Sequence, residues 1–289
     1  MVAPVVLVTL LLNVYPLVLG MSMSLYQFDL MLAQKPFIGL ENYANLLYDA
    51  RFWKTVQNTV AFAVLGVPGG IVLGLAVALL LNERFALRGF LRSCVLIPWV
   101  VPPSVAASIW LWMYSTTFSP ISDLLIRLGV VAKPISFVGD LTTWGPFSMP
   151  MLSVFVVRLW EGFPFAAVMF LAGLQAIPPS LYEAAAIDGA TGWQRFRHIT
   201  LPMLQPVFQL IVTLNAIGSI SSFNVNYIMT KGGPQDLTNV VGVYLYTTSF
   251  EVYKLGYGSA IAGALLLVTG TLAALYIART LRTIEGARA

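Results

Sequence analysis

The sequence predicts an all-α, polytopic membrane helix bundle, and two observations carry that prediction. Of 289 residues, 58% are hydrophobic and 10% charged, with a mean hydropathy of +0.82; a soluble domain carries about a quarter charged residues. The charges are also segregated. Uncharged runs cover Met1–Phe28, Thr55–Asn82, Ser93–Ser122, His198–Thr230 and Leu255–Ala278, and a sixth apolar region, Pro146–Ile177, is interrupted only by Arg158 and Glu161. Each is long enough for the roughly 20 helical residues that cross a bilayer. Six crossings in one membrane domain, residues 1–289, put both termini on the same side.

The first crossing, about Val2–Gly20, is too long for a signal peptide and lacks a basic start. Residues Met21–Lys54 carry Tyr26, Tyr43, Tyr48 and Trp53, suited to an outer interfacial belt. The second crossing, Val56–Leu81, has Gly66, Gly70 and Gly74 at four-residue spacing, a face for close helix approach, and Pro68 as a kink. Arg84, Arg88 and Arg92 then anchor a short inner connection at anionic headgroups. The third crossing, Phe90–Tyr114, contains Pro98, Pro102 and Pro103 and is expected to bend, with Trp110, Trp112 and Tyr114 at its outer boundary. A short external helix is expected within Ser115–Gly145.

The fourth crossing, Phe147–Leu171, holds Arg158 and Glu161, three apart on one face and expected to pair. In the fifth, Met203–Ile228, Asn215, Ser219, Ser222 and Asn226 follow at spacings of four, three and four, with Phe223 and Asn224 beside them. Polar groups at this depth turn toward protein or a wet cavity. Two readings stay open: interhelical hydrogen bonding or contact with a hydroxyl-rich solute. The sixth crossing, Gly256–Ile277, offers the small face Gly256, Ala260 and Ala264 and is stopped by Arg279 and Arg282.

Between crossings four and five lies a polar interruption, Pro178–Pro202. Ser180 with Glu183 and Thr191 with Gln194 read as two capping boxes, and Gly189 as a left-handed helix stop. Two short helices follow, about Leu181–Asp188 and Gly192–Ile199. Trp193, Phe196 and Ile199 form an apolar ridge flanked by Arg195 and Arg197, a knob for a partner's groove or a surface for the bilayer. If this loop, the Asn82–Arg92 connection and the C-terminus face the cytoplasm, the whole formal excess of +4 lies inside.

Glu183-Ala184-Ala185, Gly189 and Ile199-x-Leu201-Pro202 resemble the cytoplasmic loop of bacterial ABC importer membrane subunits. The stretches Phe37–Tyr43, Trp160–Pro179 and Thr230–Pro234 are similar to other parts of the same family, in its carbohydrate-uptake branch (maltose and glycerol-phosphate importer type). That resemblance implies a type I importer permease fold in the inner membrane, with the loop acting as a coupling helix. The ATPase-coupling set is then Glu183, Ala184, Ala185, Asp188, Gly189, Trp193, Arg195, Phe196, Arg197, Ile199, Leu201 and Pro202. It implies a second, different permease subunit, a dimer of cytoplasmic ABC ATPases, an extracytoplasmic solute-binding protein and a sugar or polyol solute.

Rival classes fare worse. There is no HExxH, GxSxG or GxxxxGK[ST] pattern, and the one histidine, His198, lies in the loop. The chain is therefore expected to be non-catalytic, with no cofactor or metal of its own and ATP and Mg on its partners. Lysines and arginines form no cluster suited to nucleic acid. An ion-coupled secondary transporter would want an inverted repeat and unpaired membrane acids; a structural or signalling membrane protein would not account for the loop.

Overall fold

A computed structural model of the chain describes residues 3–286, and the side chains of 4–278 within them. Val2, Arg288 and the side chains of Arg279, Arg282 and Glu285 lie outside the described residues. Five helices are long and apolar enough to cross a membrane, and a bent pair makes six. Fold class and multiplicity are as expected of a multi-pass membrane protein.

Helix α1 (Pro4–Met23) has no fully buried residue and packs along the C-terminal helix. After it, α2 (Glu41–Tyr48) braces the chain: Asn42 Nδ2 donates to the carbonyls of Ser24 and Tyr26 at 2.8 and 3.0 Å. Helix α3 (Ala50–Asn82) starts on Asp49, whose carboxylate accepts from the amides of Arg51 and Phe52. The third crossing is sharply broken. Helices α4 (Arg88–Val100) and α5 (Pro103–Met113) meet at 93°, because Pro102 drives Val101 into an extended conformation and Pro103 starts a new helix.

Helix α6 (Pro120–Arg127), capped by Ser119, is the short helix expected within Ser115–Gly145. A two-residue hairpin follows, β1 (Thr143–Trp144) with β2 (Phe147–Ser148), and leads into α7 (Met149–Ala176). This segment folds over the end of α5. Tyr114 is consequently buried, stacked on Phe137 at 4.6 Å with its hydroxyl donating to the Ser153 carbonyl.

The loop expected to hold two helices contains α8 (Pro179–Ile187) and α9 (Gly192–Arg195). From α9 the helical path continues through a widened turn, Phe196–Thr200, and Leu201–Met203. Helix α10 (Gln205–Ile220) and the short α11 (Asn224–Thr230) form the fifth crossing, α12 (Val241–Tyr246) lies beyond it, and α13 (Leu255–Gly286) is the last.

Helices α3 and α7 form the centre and run parallel. Arg158 lies over Phe62, Phe155 and Leu159 meet Gly69, and Ala166 meets Gly74. Helix α10 runs antiparallel to α3, with Asn215 against Gly70 and Ser219 against Gly66. Lipid is as apolar as leucine, so this contact depends on close approach. Glycine supplies it: a Cβ on Gly74 would stand 2.6 Å from the Ala166 Cβ.

Candidate functional site

Two regions gather the residues singled out by the sequence: a polar cavity inside the bundle and the hairpin at one end.

The cavity, about 290 Å³, is walled by α3, α4, α7 and α10. Gly66, Gly70, Phe62, Trp99, Arg158, Glu161, Asn215 and Ser219 line it. A second hollow of about 200 Å³ shares Arg158, Glu161 and Gly218 with the first and adds Ser222, Phe223, Asn224 and Asn226. The structure thus brings the four-residue polar stripe, with Phe223 and Asn224, to adjoining hollows, but not as one helical face. The fifth crossing breaks at Ser221–Phe223, where Phe223 leaves helical geometry at φ −139°. Asn226 is fully buried and donates to the Thr238 carbonyl at 3.3 Å, while the Ser222 hydroxyl is buried without a partner.

Arg158 and Glu161 do not form the expected ion pair. Among the described residues the one such contact is Arg51–Asp236, and the Arg158 guanidinium instead lies 5.4 Å from the Phe62 ring centroid. Both charged side chains are half-buried and line the cavity. Phe223 stacks in an aromatic group with Tyr227 and Tyr246, at 5.0 and 4.8 Å, and Tyr227 donates to Glu251 at 2.7 Å. The sequence reading missed Tyr227 and Tyr246, and it favoured a packing seam for Gly66 and Gly70, which also line the cavity. The four-residue glycine spacing identified the face but not its neighbour.

The hairpin projects from the opposite end of α7. Pro178 is extended and Pro179 opens α8, a position where a missing N–H costs nothing. Ser180 is therefore already inside the helix, and its expected capping box with Glu183 is not formed. The second box is formed: the Thr191 hydroxyl accepts from the Gln194 amide at 3.3 Å, and Gln194 Oε1 accepts from the Thr191 amide at 2.7 Å. Gly189 has φ +76°, the expected left-handed stop. Pro202 cannot donate to the carbonyl one turn back, and the widened turn before it absorbs the mismatch.

Glu183, Ala184, Asp188, Gly189, Trp193, Arg197 and Pro202 are exposed; Ala185, Arg195, Phe196, Ile199 and Leu201 are half-buried. Trp193 is 67% and Ile187 87% exposed, and the Trp193 and Phe196 rings lie 5.5 Å apart. Ile199 packs with Tyr182 against the bundle core, so the ridge expected from Trp193, Phe196 and Ile199 ends at Phe196. Tyr182 and Thr200 bond at 2.9 Å across the hairpin base.

The sequence profile of the family described as binding-protein-dependent transport system inner membrane component matches residues 70–282, a span that holds the hairpin and most of the cavity lining. The chain belongs to that family. This permease is 37% identical over 265 residues to the trehalose/maltose transport system permease protein of Thermococcus litoralis, covering 91% of this chain and 86% of that one. It is 35% identical over 284 residues to the sulfoquinovosyl glycerol transport system permease protein of Agrobacterium fabrum, covering 98% and 89%. Among solved structures, a chain of the bacterial ABC transporter that imports the acidic polysaccharide alginate matches with a TM-score of 0.82 at 20% identity, covering 96% of this permease and 93% of that chain. A chain of the MetNI methionine ABC transporter matches with a TM-score of 0.53 at 21% identity, covering 81% and 96%. At these identities the structural matches speak to fold alone. The permease is a non-catalytic membrane component of an ABC-type transporter, a class that works with ATPase subunits and a solute-binding protein.

Proposed function

We propose that this permease is the membrane subunit of an ATP-driven carbohydrate importer, forming half of the translocation path and carrying the force of ATP hydrolysis through its 178–202 hairpin. One observation carries the reading: a doubly stopped, capped hairpin presents Trp193, Ile187 and Glu183 to solvent while Ile199, Tyr182 and Thr200 tie its base to the bundle. A protruding part with an apolar tip and an anchored base transmits a push from a partner to the helices behind it. The hairpin and both termini face the cytoplasm in this reading. A dimer of ABC ATPases there holds ATP and Mg, a solute-binding protein delivers from outside, and a second, different permease subunit completes the path.

The solute class is argued from Asn215, Ser219, Ser222, Asn224 and the broken backbone at Ser221–Phe223, whose amide and hydroxyl groups both donate and accept as sugar hydroxyls require. The relatives named for trehalose/maltose and sulfoquinovosyl glycerol transport point the same way. The experiment is Glu183→Lys in the complete transporter. Uptake should fall by about tenfold or more, as expected when a charge contact buried in the interface with the ATPase is reversed, while ATP hydrolysis continues and the complex assembles. Normal uptake by this variant would remove the hairpin from the coupling role.

A further inference from the structure

The connection between α3 and α4 is an arginine-rich elbow at the hairpin end of the bundle. Leu87 turns the chain through φ +68°, and α4 begins at Arg88 with no side chain capping its first amides. With the Gln175 amide turned so that its oxygen faces them, Arg88 Nη2 and Arg92 Nη2 donate to it at 3.3 and 2.8 Å. Arg92 Nη2 also reaches the Leu81 carbonyl at 3.4 Å. Two guanidinium groups thus converge on one neutral oxygen, and the Nε of each is buried without a partner. No carboxylate compensates them, since the one ion pair among the described residues lies at the far end of the bundle. Two like charges held beside a single neutral acceptor favour an anion near their guanidinium groups.

The surroundings indicate which anion. Phe85, Leu87, Phe90 and Leu91 are 37, 74, 66 and 39% exposed, and Arg84 is exposed among them. Large apolar side chains interleaved with arginines at the ends of membrane-crossing helices sit where acyl chains meet headgroups. A free phosphate would gain nothing from that apolar rim.

We propose that the elbow, residues 84–92, binds the phosphate headgroup of an anionic phospholipid. Arg88 and Arg92 hold the phosphate, Arg84 closes over it, and Phe85, Leu87, Phe90 and Leu91 lie against the acyl chains. Gln175 belongs to the last turn of α7, immediately before the hairpin, so the bound lipid stiffens the base from which the hairpin projects. The site stands independently of which solute is carried.

The test is lipid retention by the full chain, purified in neutral detergent, mixed with phosphatidylglycerol or phosphatidylcholine and read by native mass spectrometry. Wild type should retain phosphatidylglycerol in preference, and each arginine removed should lower that preference by a factor of about 5. Arg88→Gln/Arg92→Gln should bring it near the phosphatidylcholine level, while Arg84→Gln, an exposed change that leaves the packing intact, should give a partial loss. Raising salt to about 1 M, where the screening length is near 3 Å, should weaken retention in the wild type without any substitution. Equal retention of the two lipids by wild type overturns the proposal, as does an undiminished preference in the double variant. Displacement of bound phosphatidylglycerol by millimolar inorganic phosphate, or by addition of the ATPase subunits, would assign the arginines to a free anion or to a protein and also overturn it.

Discussion

Arg51 and Asp236, far apart in sequence, form a two-pronged ion pair: Nε to Oδ2 and Nη2 to Oδ1, both at 2.9 Å. The pair ties the start of α3 to the loop after α11. Asn58 Nδ2 donates to the Asp236 and Asn239 carbonyls at 2.7 and 2.9 Å, and Asn239 Nδ2 donates to Asp236 Oδ1 at 2.7 Å. Asp236 itself sits at φ +58°, a conformation that aspartate tolerates better than most residues.

This clamp should respond unequally to its two ends. Arg51 is 54% exposed and Asp236 30%, so the ion pair alone contributes no more than about 1 kcal/mol. Arg51→Ala should therefore lower thermal stability slightly. Asp236→Ala removes the anchor for Asn239 as well as the ion pair and places alanine at a left-handed position. It should cost about 1–3 kcal/mol more and open the 231–240 loop to protease. Equal effects from the two variants would show that the loop is held by something other than Asp236.

Asp49 gives the same end of the bundle a pH dependence. Its Oδ2 accepts from the Tyr244 and Tyr257 hydroxyls and its Oδ1 from the amides of Arg51 and Phe52. Burial pushes this carboxyl up, but the four hydrogen bonds outweigh it and hold it below the ordinary value of 3.8. A folded-state value below the unfolded one means that the stabilisation is fully present above the unfolded value and is lost as pH falls through the folded one. Melting temperature should thus be insensitive to this group near neutrality and fall below about pH 4. Asp49→Ala should flatten that acid limb and, through the lost helix cap alone, cost about 1 kcal/mol at pH 7. An acid limb unchanged by the substitution would place the titrating group elsewhere.

The crossings were legible because charge is excluded from hydrocarbon whatever the neighbours are. The Thr191–Gln194 box and the Gly189 stop were legible because both are local. Part of what escaped was set by partners distant in sequence, and part by the local start and break of helices. Arg158 and Glu161 have the spacing of a pair, yet Phe62 from α3 takes the guanidinium face. The Asn215-to-Asn226 stripe assumed an unbroken helix, and no proline or glycine marks the break at Ser221–Phe223. Ser180 has capping-box spacing, but Pro178-Pro179 starts the helix earlier.

The glycines of α3 should separate into two classes by one kind of substitution. A Cβ at Gly74 would meet the Ala166 Cβ at 2.6 Å and the backbone of Ala166 and Ala167 at 3.1 Å, atoms that cannot step aside. Gly74→Ala should therefore separate α3 from α7 and cost about 1–3 kcal/mol, seen as reduced yield and melting temperature. At Gly66 and Gly70 the nearest atoms are Ser219 Oγ and Asn215 Nδ2, both at 3.6 Å, ordinary contact distances. Gly66→Ala and Gly70→Ala should leave stability nearly unchanged and reduce the cavity. If all three variants lose stability alike, the seam is uniform and the cavity at its upper part is not an open space.

The cavity prediction distinguishes a path from packing. Asn215 and Ser219 form no side-chain hydrogen bond across the helices, although both face the hollow shared with Arg158 and Glu161. Residues that served only as interhelical glue would show that bond. Each neutral hydrogen bond lost to a transported solute is worth about 0.5–1.5 kcal/mol, or roughly two- to tenfold. Asn215→Ala and Ser219→Ala should accordingly lower solute-dependent uptake and solute-stimulated ATP hydrolysis by those factors with assembly intact. Arg158→Gln should have the larger effect, since a charged donor contributes about 1.5–3 kcal/mol. Because Arg158 makes no direct ion pair, its loss should leave the packing of α7 in place. A collapse of α7 packing in Arg158→Gln, with uptake unaffected in the other two variants, would return the polar groups to a purely structural role.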